Sequence, residues 1–195
     1  MLKPSLCLFI VVSLLLAQTG MTVNAAGNGS DWVKDKSPGE LANELMAAVN
    51  ELRAAHGLNT LNAHPILVQI AQVHANYMAS TGATTHLSAD GRRPFQRALA
   101  AGYPVAGDLS LGGFYSENIQ SGPNLTPQEV VDIWMGDEPH QNTMLSANRS
   151  DMGAGVAVSG GFTYFVLDTA LASSAPVENL LATIAGHNKI RPGPA

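Results

Sequence analysis

Four polar side chains have the chemistry of a metal or acid–base site: His86, Glu117, Asp137 and His140. Two imidazoles and two carboxylates form a sensible ligand set for zinc, and the same groups could exchange protons with a polar ligand. They are separated by 31, 20 and 3 residues, so no local motif unites them. If they share a site, the fold has to assemble it.

Several common catalytic motifs are absent from the sequence. Gly153-Ala154-Gly155 begins like a dinucleotide-binding loop, but Val158 stands where the third glycine is required. The chain has no Gly-x-Ser-x-Gly elbow, no His-Glu-x-x-His pair and no phosphate-binding loop. The local signatures of the common serine hydrolases, zinc peptidases and nucleotide hydrolases are therefore missing.

Capping residues and helical spacing of apolar residues predict four helices that would position these side chains. The first has a capping box at Ser37-Pro38-Gly39-Glu40 and ends at Gly57. The second opens at Pro65 and ends before Gly82, and the third, a short one, covers 94–101. The fourth is capped by Thr126 and runs through Trp134, which places Asp137 and His140 after its end.

Strands are predicted in two places. A short strand over 115–119 carries Glu117, and segments 152–158 and 162–168 flank Gly160-Gly161, a pair typical of a hairpin turn because both residues tolerate positive φ. One face of the first hairpin strand carries Gly153, Gly155 and Ala157. Such small side chains predict a strand packed closely against a helix.

The N-terminal residues 1–25 are predicted to be a secretory signal peptide. Leu6 to Ala17 is an apolar run behind Lys3, and Val23-Asn24-Ala25 is suited to signal peptidase. An uncleaved anchor is the weaker alternative, because the run is shorter than the about 18 residues that span a bilayer. Residues 26–36 are predicted to be a linker, 37–170 the folded domain, and 171–195 a poorly packed tail.

Composition restricts the possible partners. The chain has 15 acidic and 10 basic residues and a net charge of −5, which argues against nucleic acid as the main partner. Its single cysteine, Cys7, lies in the predicted signal peptide, so we expect a secreted or cell-envelope domain without disulfides and with no transmembrane segment after cleavage. Such a domain depends on burial alone for its stability. The sequence does not indicate an oligomeric state.

The order and spacing of several segments resemble the CAP superfamily, which includes cysteine-rich secretory proteins, antigen 5 and the pathogenesis-related class 1 proteins. The resemblance covers about residues 45–169 and is to short bacterial-type members of the superfamily. The segments are Glu44 to Gly57, Ala71-Gln72-Val73-His74-Ala75, Thr85-His86, Gly91 to Arg97, Gly102-Tyr103, Ser116-Glu117-Asn118-Ile119, Trp134 to His140, Asn142 to Leu145 and Met152 to Val156.

This resemblance implies an α+β fold, an α-β-α sandwich with helices on both faces of a small antiparallel sheet. It also implies a cleft formed by His86, Glu117, Asp137 and His140, with His86, His140 and Glu117 as ligands of a zinc ion. Asp137 stands where the better-known eukaryotic members have Glu, and the adjacent Glu138 is the alternative acid. Pro139 replaces a frequent glycine, and the disulfides of the animal and plant members are absent.

Each of these residues also has a structural interpretation. His86 could cap a helix end, and Glu117 could accept hydrogen bonds from a loop backbone. His74 lies on the apolar face of its helix, which favours a hydrogen-bonded core histidine. His56, His64 and Trp134 are expected to be structural, and His187 lies in the predicted tail.

Three functions are compatible with the sequence. The first is an exported binding module whose cleft takes a divalent metal and a small or lipid-like ligand, as the resemblance implies. The second is an extracellular metal-assisted hydrolase of the peptidase type, with Glu117 as general base and His86 or His140 as its partner. The third is a surface interaction protein that binds no ligand in the cleft. The sequence does not decide whether the protein is an enzyme.

Overall fold

The computed structural model describes residues 35–174, which form six helical segments and one four-stranded sheet. The elements in chain order are α1 (Pro38–Ala55), β1 (Asn62–Ala63), α2 (Pro65–Thr81), α3 (Pro94–Ala100), a 3-10 helix (Leu109–Leu111), β2 (Tyr115–Pro123), α4 (Pro127–Trp134), α5 (Glu138–Leu145), β3 (Asp151–Ser159) and β4 (Phe162–Ala170). None of the described helices is both long enough and apolar enough to cross a bilayer. The predicted signal peptide, nearly all of the linker and His187 lie outside the described residues.

The sheet has the strand order β1-β3-β4-β2, so β2 is an edge strand. The predicted hairpin is confirmed: β3 and β4 pair antiparallel from Asp151↔Ala170 to Ser159↔Phe162, around the turn Gly160-Gly161. Both turn glycines have positive φ, at 58° and 80°. β2 pairs antiparallel with β4, and only the two-residue β1 runs parallel to its neighbour β3.

The predicted helix starts are confirmed in detail. Ser37 and Thr126 each form a capping box, with the side chain accepting from the backbone N–H three residues on and that residue's glutamate accepting from the cap. Proline occupies the first turn of both helices. α2 ends at Gly82, whose φ of 70° is the left-handed conformation typical of a helix C-terminus.

Helix α2 packs directly on the small residues of β3. A Cβ atom built on Gly153 would lie 2.2 Å from the carbonyl carbon of Leu67, and one built on Gly155 would lie 2.3 Å from that of Ala71. These distances leave no room for a side chain. The prediction that these small residues lie beneath a helix is therefore confirmed.

The two faces of the sheet bury separate helical layers, which gives the predicted α-β-α sandwich. Helices α1, α4 and α5 cover one face, with Trp134 fully buried as a core residue. Helices α2 and α3 cover the other face, in two adjoining apolar clusters around Leu67 and Ala71. The guanidinium group of Arg53 in α1 connects this helical layer by donating hydrogen bonds to the carbonyl oxygens of Asn59, Met144 and Ser146.

Three features differ from the sequence expectations. Asp137 and His140 do not trail from the fourth helix but begin a separate one, α5, for which Asp137 is the N-cap. Strand β2 continues to Pro123, four residues beyond the predicted end. The start of the predicted tail is also held by the domain, because Ala172 bridges to Val105 and Leu171 forms backbone hydrogen bonds with Phe114 and Ala106.

Candidate functional site

His86 and Glu117 form the first half of the candidate site. His86 lies in the loop after α2, and Glu117 lies on β2, where its side chain is 1% exposed. The His86 Nδ1 and Glu117 Oε1 atoms are 2.8 Å apart, and the imidazole itself is 51% exposed. Burial and the nearby Arg97 lower the pKa of His86. The imidazole is therefore neutral at pH 7 and presents its Nε2 edge away from Glu117.

Arg97 of α3 holds the same pair in place. Its Nη2 donates to Glu117 Oε2, and its Nη1 donates to the carbonyl oxygen of His86 at 2.7 Å. Both oxygens of Glu117 are thus engaged, one by an imidazole and one by a guanidinium. Sequence reasoning gave Arg97 no role, although an arginine directly before the apolar Ala98-Leu99 on a short helix was a signal of a buried charge.

Asp168 is a second buried carboxyl group beside Glu117. It lies directly opposite Glu117 in the β2–β4 register and is fully buried. The Tyr115 hydroxyl and the Glu117 carboxyl are its nearest polar neighbours, and neither forms a hydrogen bond of good geometry with the Asp168 oxygens. Sequence reasoning missed Asp168 as well, although it is the one charged residue within the apolar strand Phe162–Ala170.

The two carboxyl groups share a single cationic neighbour, and this determines their protonation. Burial raises the pKa of Glu117 to about 8, against the lowering effect of Arg97. Burial and the charge of Glu117 raise the pKa of Asp168 well above its usual range. One guanidinium cannot balance two neighbouring buried carboxylates, so the Glu117–Asp168 pair retains a proton near neutral pH and titrates as a unit.

Asp137 and His140 form the second half of the site at the start of α5. One Asp137 oxygen accepts from the backbone N–H of His140 at 3.1 Å, and the other lies 2.7 Å from His140 Nδ1. These hydrogen bonds lower the pKa of Asp137. Glu138, the alternative acid, is exposed in the first turn of α5, so it is Asp137 that orients the imidazole.

Consecutive residues of β2 connect the two halves. Glu117 bonds to His86 on the face covered by α2, while the side chain of its neighbour Asn118 donates to the carbonyl oxygen of His140 at 3.0 Å. Alternate side chains of a strand point to opposite faces. Because β2 is the edge strand, the two pairs flank that edge from the two layers of the sandwich.

The donor set is suited in part to a metal ion. Each imidazole has its Nδ1 against a carboxylate and its Nε2 available, which is the usual arrangement of a metal-binding histidine and its orienting acid. Within residues 35–174, however, no group of three or more His, Cys, Asp or Glu side chains is placed to hold a metal. The assignment of His86, His140 and Glu117 as metal ligands stays a prediction.

The remaining histidines of the described domain have structural roles, as expected. His74 is buried, and its Nε2 lies 2.6 Å from the carbonyl oxygen of Thr85, next to His86. Burial lowers the pKa of His74 to about 4, so it is neutral and anchors the His86 loop. His56 bonds to the carbonyl oxygen of Leu52 at the end of α1, and His64 caps α2 by accepting from the Ile66 N–H.

Comparison with known proteins identifies the fold family. The family model described as the cysteine-rich secretory protein family, CAP, matches residues 46–169, which is more than half of the chain. The chain belongs to the CAP family. The CAP domain therefore accounts for the sandwich and includes all four candidate site residues.

Bacterial proteins are among the relatives of this CAP domain. Protein YkwD of Bacillus subtilis is 29% identical over 119 residues, which cover 60% of this chain and 42% of that protein. The chain thus matches less than half of the length of this curated relative. An outer surface protein of Borrelia burgdorferi has 19% identity, a TM-score of 0.60, and coverage of 71% of this chain and 97% of that structure.

A second solved structure gives the same fold. An extracellular protein of Bacillus anthracis that contains an SCP domain is 18% identical, with a TM-score of 0.54 and coverage of 68% of this chain and 41% of that one. At these identities the likeness concerns the fold alone. The names of both structural relatives place those proteins outside the cell.

Proposed function

We propose that the protein is an exported CAP-domain binding module whose cleft, formed by His86, Glu117, Asp137 and His140, takes a divalent metal ion, zinc by preference, together with a small polar or lipid-like ligand. The observation that carries the proposal is the paired geometry, in which each imidazole is held at Nδ1 by its own carboxylate. This leaves two Nε2 lone pairs as the metal donors.

The proposal gives the two acids a different role from the two histidines. His86 and His140 supply the Nε2 donors, and Glu117 and Asp137 orient them. Glu117 would become a direct ligand only by releasing His86 or Arg97, because both of its oxygens are engaged. A bound zinc ion would supply Lewis acidity and a fixed positive charge to any anionic or polar group in the cleft.

Export is part of the proposal. The apolar run behind Lys3 and the small residues before Ala26 support a cleaved signal peptide. The extracellular and outer-surface proteins among the structural relatives agree with this location. A small-molecule ligand, rather than nucleic acid, agrees with the net charge of −5.

Zinc titration by calorimetry tests the metal site. We expect one zinc per chain at pH 7.5 and at least about 10-fold weaker binding at pH 5.5, because protons compete for the imidazole lone pairs below about pH 6.5. His86→Ala and His140→Ala should each abolish binding. His56→Ala, which removes an exposed histidine outside the site, is the matched control and should bind as the wild type does.

The result that overturns the metal site is equally specific. Equal zinc affinity at the two pH values, or no binding at either, contradicts it. So does a stoichiometry of two in which each single variant loses one zinc, because the histidines would then act separately.

A metal-assisted hydrolase is the second candidate, and one observation favours it. Burial raises the pKa of Glu117 to about 8, which brings the group near the range of a general acid or base at neutral pH. The candidate predicts zinc-dependent cleavage of a fluorogenic peptide that Glu117→Gln abolishes without a change in the circular dichroism spectrum. Absence of cleavage in the wild type eliminates this candidate for the peptides tested and leaves the binding module unaffected.

A further inference from the structure

Strand β2 has one edge that no other strand of the sheet pairs with, and the main chain of Glu117 lies on it. In an antiparallel ladder, residues that bond to the partner strand alternate with residues whose N–H and C=O point away from it. Phe114, directly before β2, accepts from the Leu171 N–H at 3.0 Å, and these two residues continue the β2–β4 register. The bonded positions therefore continue at Ser116 and Asn118. Glu117, between them, points its N–H and C=O away from β4.

The main chain of Glu117 is also open to solvent. The whole residue is 9% exposed, although its side chain is only 1% exposed, so the exposed surface belongs to the main chain. Neither the N–H nor the C=O of Glu117 has a hydrogen-bond partner among residues 35–174. Ile119, the next outward-pointing residue, differs because its C=O accepts from Trp134 Nε1 at 3.3 Å. The edge is therefore occupied at Ile119 and open at Glu117.

This open main chain lies between the two imidazole–carboxylate pairs of the candidate site. The side chain of Glu117 contacts His86 on one side of β2, and the side chain of Asn118 donates to the His140 carbonyl oxygen on the other. The imidazoles of His86 and His140 are 51% and 33% exposed. A group that bonds to the Glu117 main chain would therefore enter the proposed cleft between the two histidines.

The two open groups restrict the chemistry of such a ligand. Glu117 offers one donor and one acceptor that point in the same direction. A single trans amide cannot satisfy both, because its own N–H and C=O point in opposite directions. One residue of an extended peptide can satisfy both, since its N–H and C=O lie on the same side of the chain, as in the bonded pairs of an antiparallel ladder.

We propose that the ligand of the cleft is an extended peptide segment, one residue of which exchanges both main-chain hydrogen bonds with Glu117. The inference rests on the proposed function, because it names the ligand class of the same cleft. The two bonds set the direction and register of the peptide, which runs antiparallel to β2, and they require no zinc. An N-acetyl sugar, with a single trans amide, would form only one of the two bonds.

A one-residue peptide and its two N-methyl isomers test the proposal. N-acetylvaline methylamide carries the N–H and C=O of one residue. A methyl group on the valine nitrogen removes the N–H that would bond to Glu117, whereas a methyl group on the terminal amide nitrogen leaves both bonding groups intact. The fourth probe is N-acetylglucosamine. Each is titrated into the purified protein, with a chelator present, and the backbone amide NMR signals are followed.

The expected order of affinity follows from the number of bonds. N-acetylvaline methylamide and the isomer methylated at the terminal amide should bind with similar millimolar affinity and shift the Glu117 signal. The isomer methylated at the valine nitrogen and N-acetylglucosamine should bind at least about 5-fold more weakly, since each loses a hydrogen bond. Saturation with N-acetylvaline methylamide should also slow hydrogen exchange at the Glu117 N–H.

Two variants at one position test the protein side of the pairing. Glu117→Ala and Glu117→Pro lose the same carboxylate, but only the proline variant also loses the outward N–H. Proline is tolerated in an edge strand where the N–H points away from the ladder. Glu117→Pro should bind N-acetylvaline methylamide at least about 5-fold more weakly than Glu117→Ala does. If either variant does not fold, the four probes with the wild type still decide the matter.

Three results would each overturn the proposal: no saturable shift at Glu117, equal binding of the two N-methyl isomers, or N-acetylglucosamine bound as tightly as N-acetylvaline methylamide. Equal affinity of the folded proline and alanine variants would overturn it as well. The zinc titration is a separate measurement. Zinc binding without probe binding removes the peptide and keeps the metal cleft, and probe binding without zinc binding does the reverse.

Discussion

Glu117 is the buried acid that most of the charged and titratable groups of the candidate site surround. One of its oxygens contacts an imidazole, the other a guanidinium, and a second buried carboxyl group lies across the strand pair. These contacts hold His86 and Arg97 in place around Glu117. The proton that Glu117 and Asp168 retain is the most direct consequence of this arrangement and can be measured.

Asp168→Asn should change how stability depends on pH. The raised pKa values of Glu117 and Asp168 mean that the folded protein holds a proton that the unfolded chain has released, so wild-type stability falls as the pH rises from about 4 to about 8. The variant lacks this proton. The difference in free energy of unfolding between Asp168→Asn and the wild type should therefore shift in favour of the variant, by up to about 1.4 kcal/mol for each pH unit between about pH 4 and about pH 8.

Urea unfolding at about pH 5 and about pH 8 measures this difference. Asp132→Asn, which changes an exposed residue of α4, is the matched control and should follow the wild type at both pH values. A constant offset between Asp168→Asn and the wild type would show that the buried pair does not retain a proton.

Asp137 combines two roles that substitutions can separate. Asparagine at this position can still accept from the His140 N–H, because it is as good an N-cap as aspartate, but it carries no charge toward the imidazole. We expect Asp137→Asn to keep the urea midpoint of the wild type and to weaken zinc binding about 10-fold. Asp137→Ala should lower both the urea midpoint and the zinc affinity. Equal zinc affinity in Asp137→Asn and the wild type would contradict the orienting role of Asp137.

At the level of elements, helix α2 lies against the backbone of β3 with no space for side chains at Gly153 and Gly155. A methyl group on Gly155 would lie 2.3 Å from the backbone of Ala71, which cannot yield as a side chain could. We expect Gly155→Ala to reduce the free energy of unfolding by about 3 kcal/mol. Gly39→Ala, where nothing lies within 4 Å of the added atom, should instead be neutral or stabilising, by about 0.5 kcal/mol.

Urea denaturation of the two glycine variants provides the comparison. A tolerated Gly155→Ala would mean that α2 can move away from the sheet. The His86 loop would then be less firmly placed than the contact distances imply, since that loop follows α2 directly.

The elements that could be predicted are those whose signals are local. Ser37 and Thr126 cap helices within four residues, and Gly160-Gly161 sets a turn by itself. Strand β1 could not be predicted, because two residues become a strand only by pairing with the distant β3. Helix α5 was missed because it is short and polar, and because Asp137 was interpreted as a cleft acid rather than as the N-cap that it also is.

At the scale of the whole molecule, the candidate site draws on both layers of the sandwich. The resemblance to the CAP superfamily named His86, Glu117, Asp137 and His140, and the structure joins them in two bonded pairs. The resemblance did not indicate a role for Arg97 or Asp168. A buried charge depends on the groups that surround it in space, and the residues around Glu117 come from three separate segments of the chain. The convergence of both pairs on one ligand remains the prediction that the zinc titration addresses.

Arg97 has consequences that extend beyond the candidate site. Its guanidinium group bonds to the Glu117 carboxylate with one nitrogen and to the His86 loop with another, and Arg97 is also one of the residues that line a cavity of about 480 Å³ beside α2 and α3. A molecule in that cavity that reorients the planar guanidinium group would change the hydrogen bonds that Arg97 donates to Glu117 and His86. Thermodynamic reciprocity then requires that the factor by which such a molecule changes zinc affinity equals the factor by which zinc changes the affinity for that molecule.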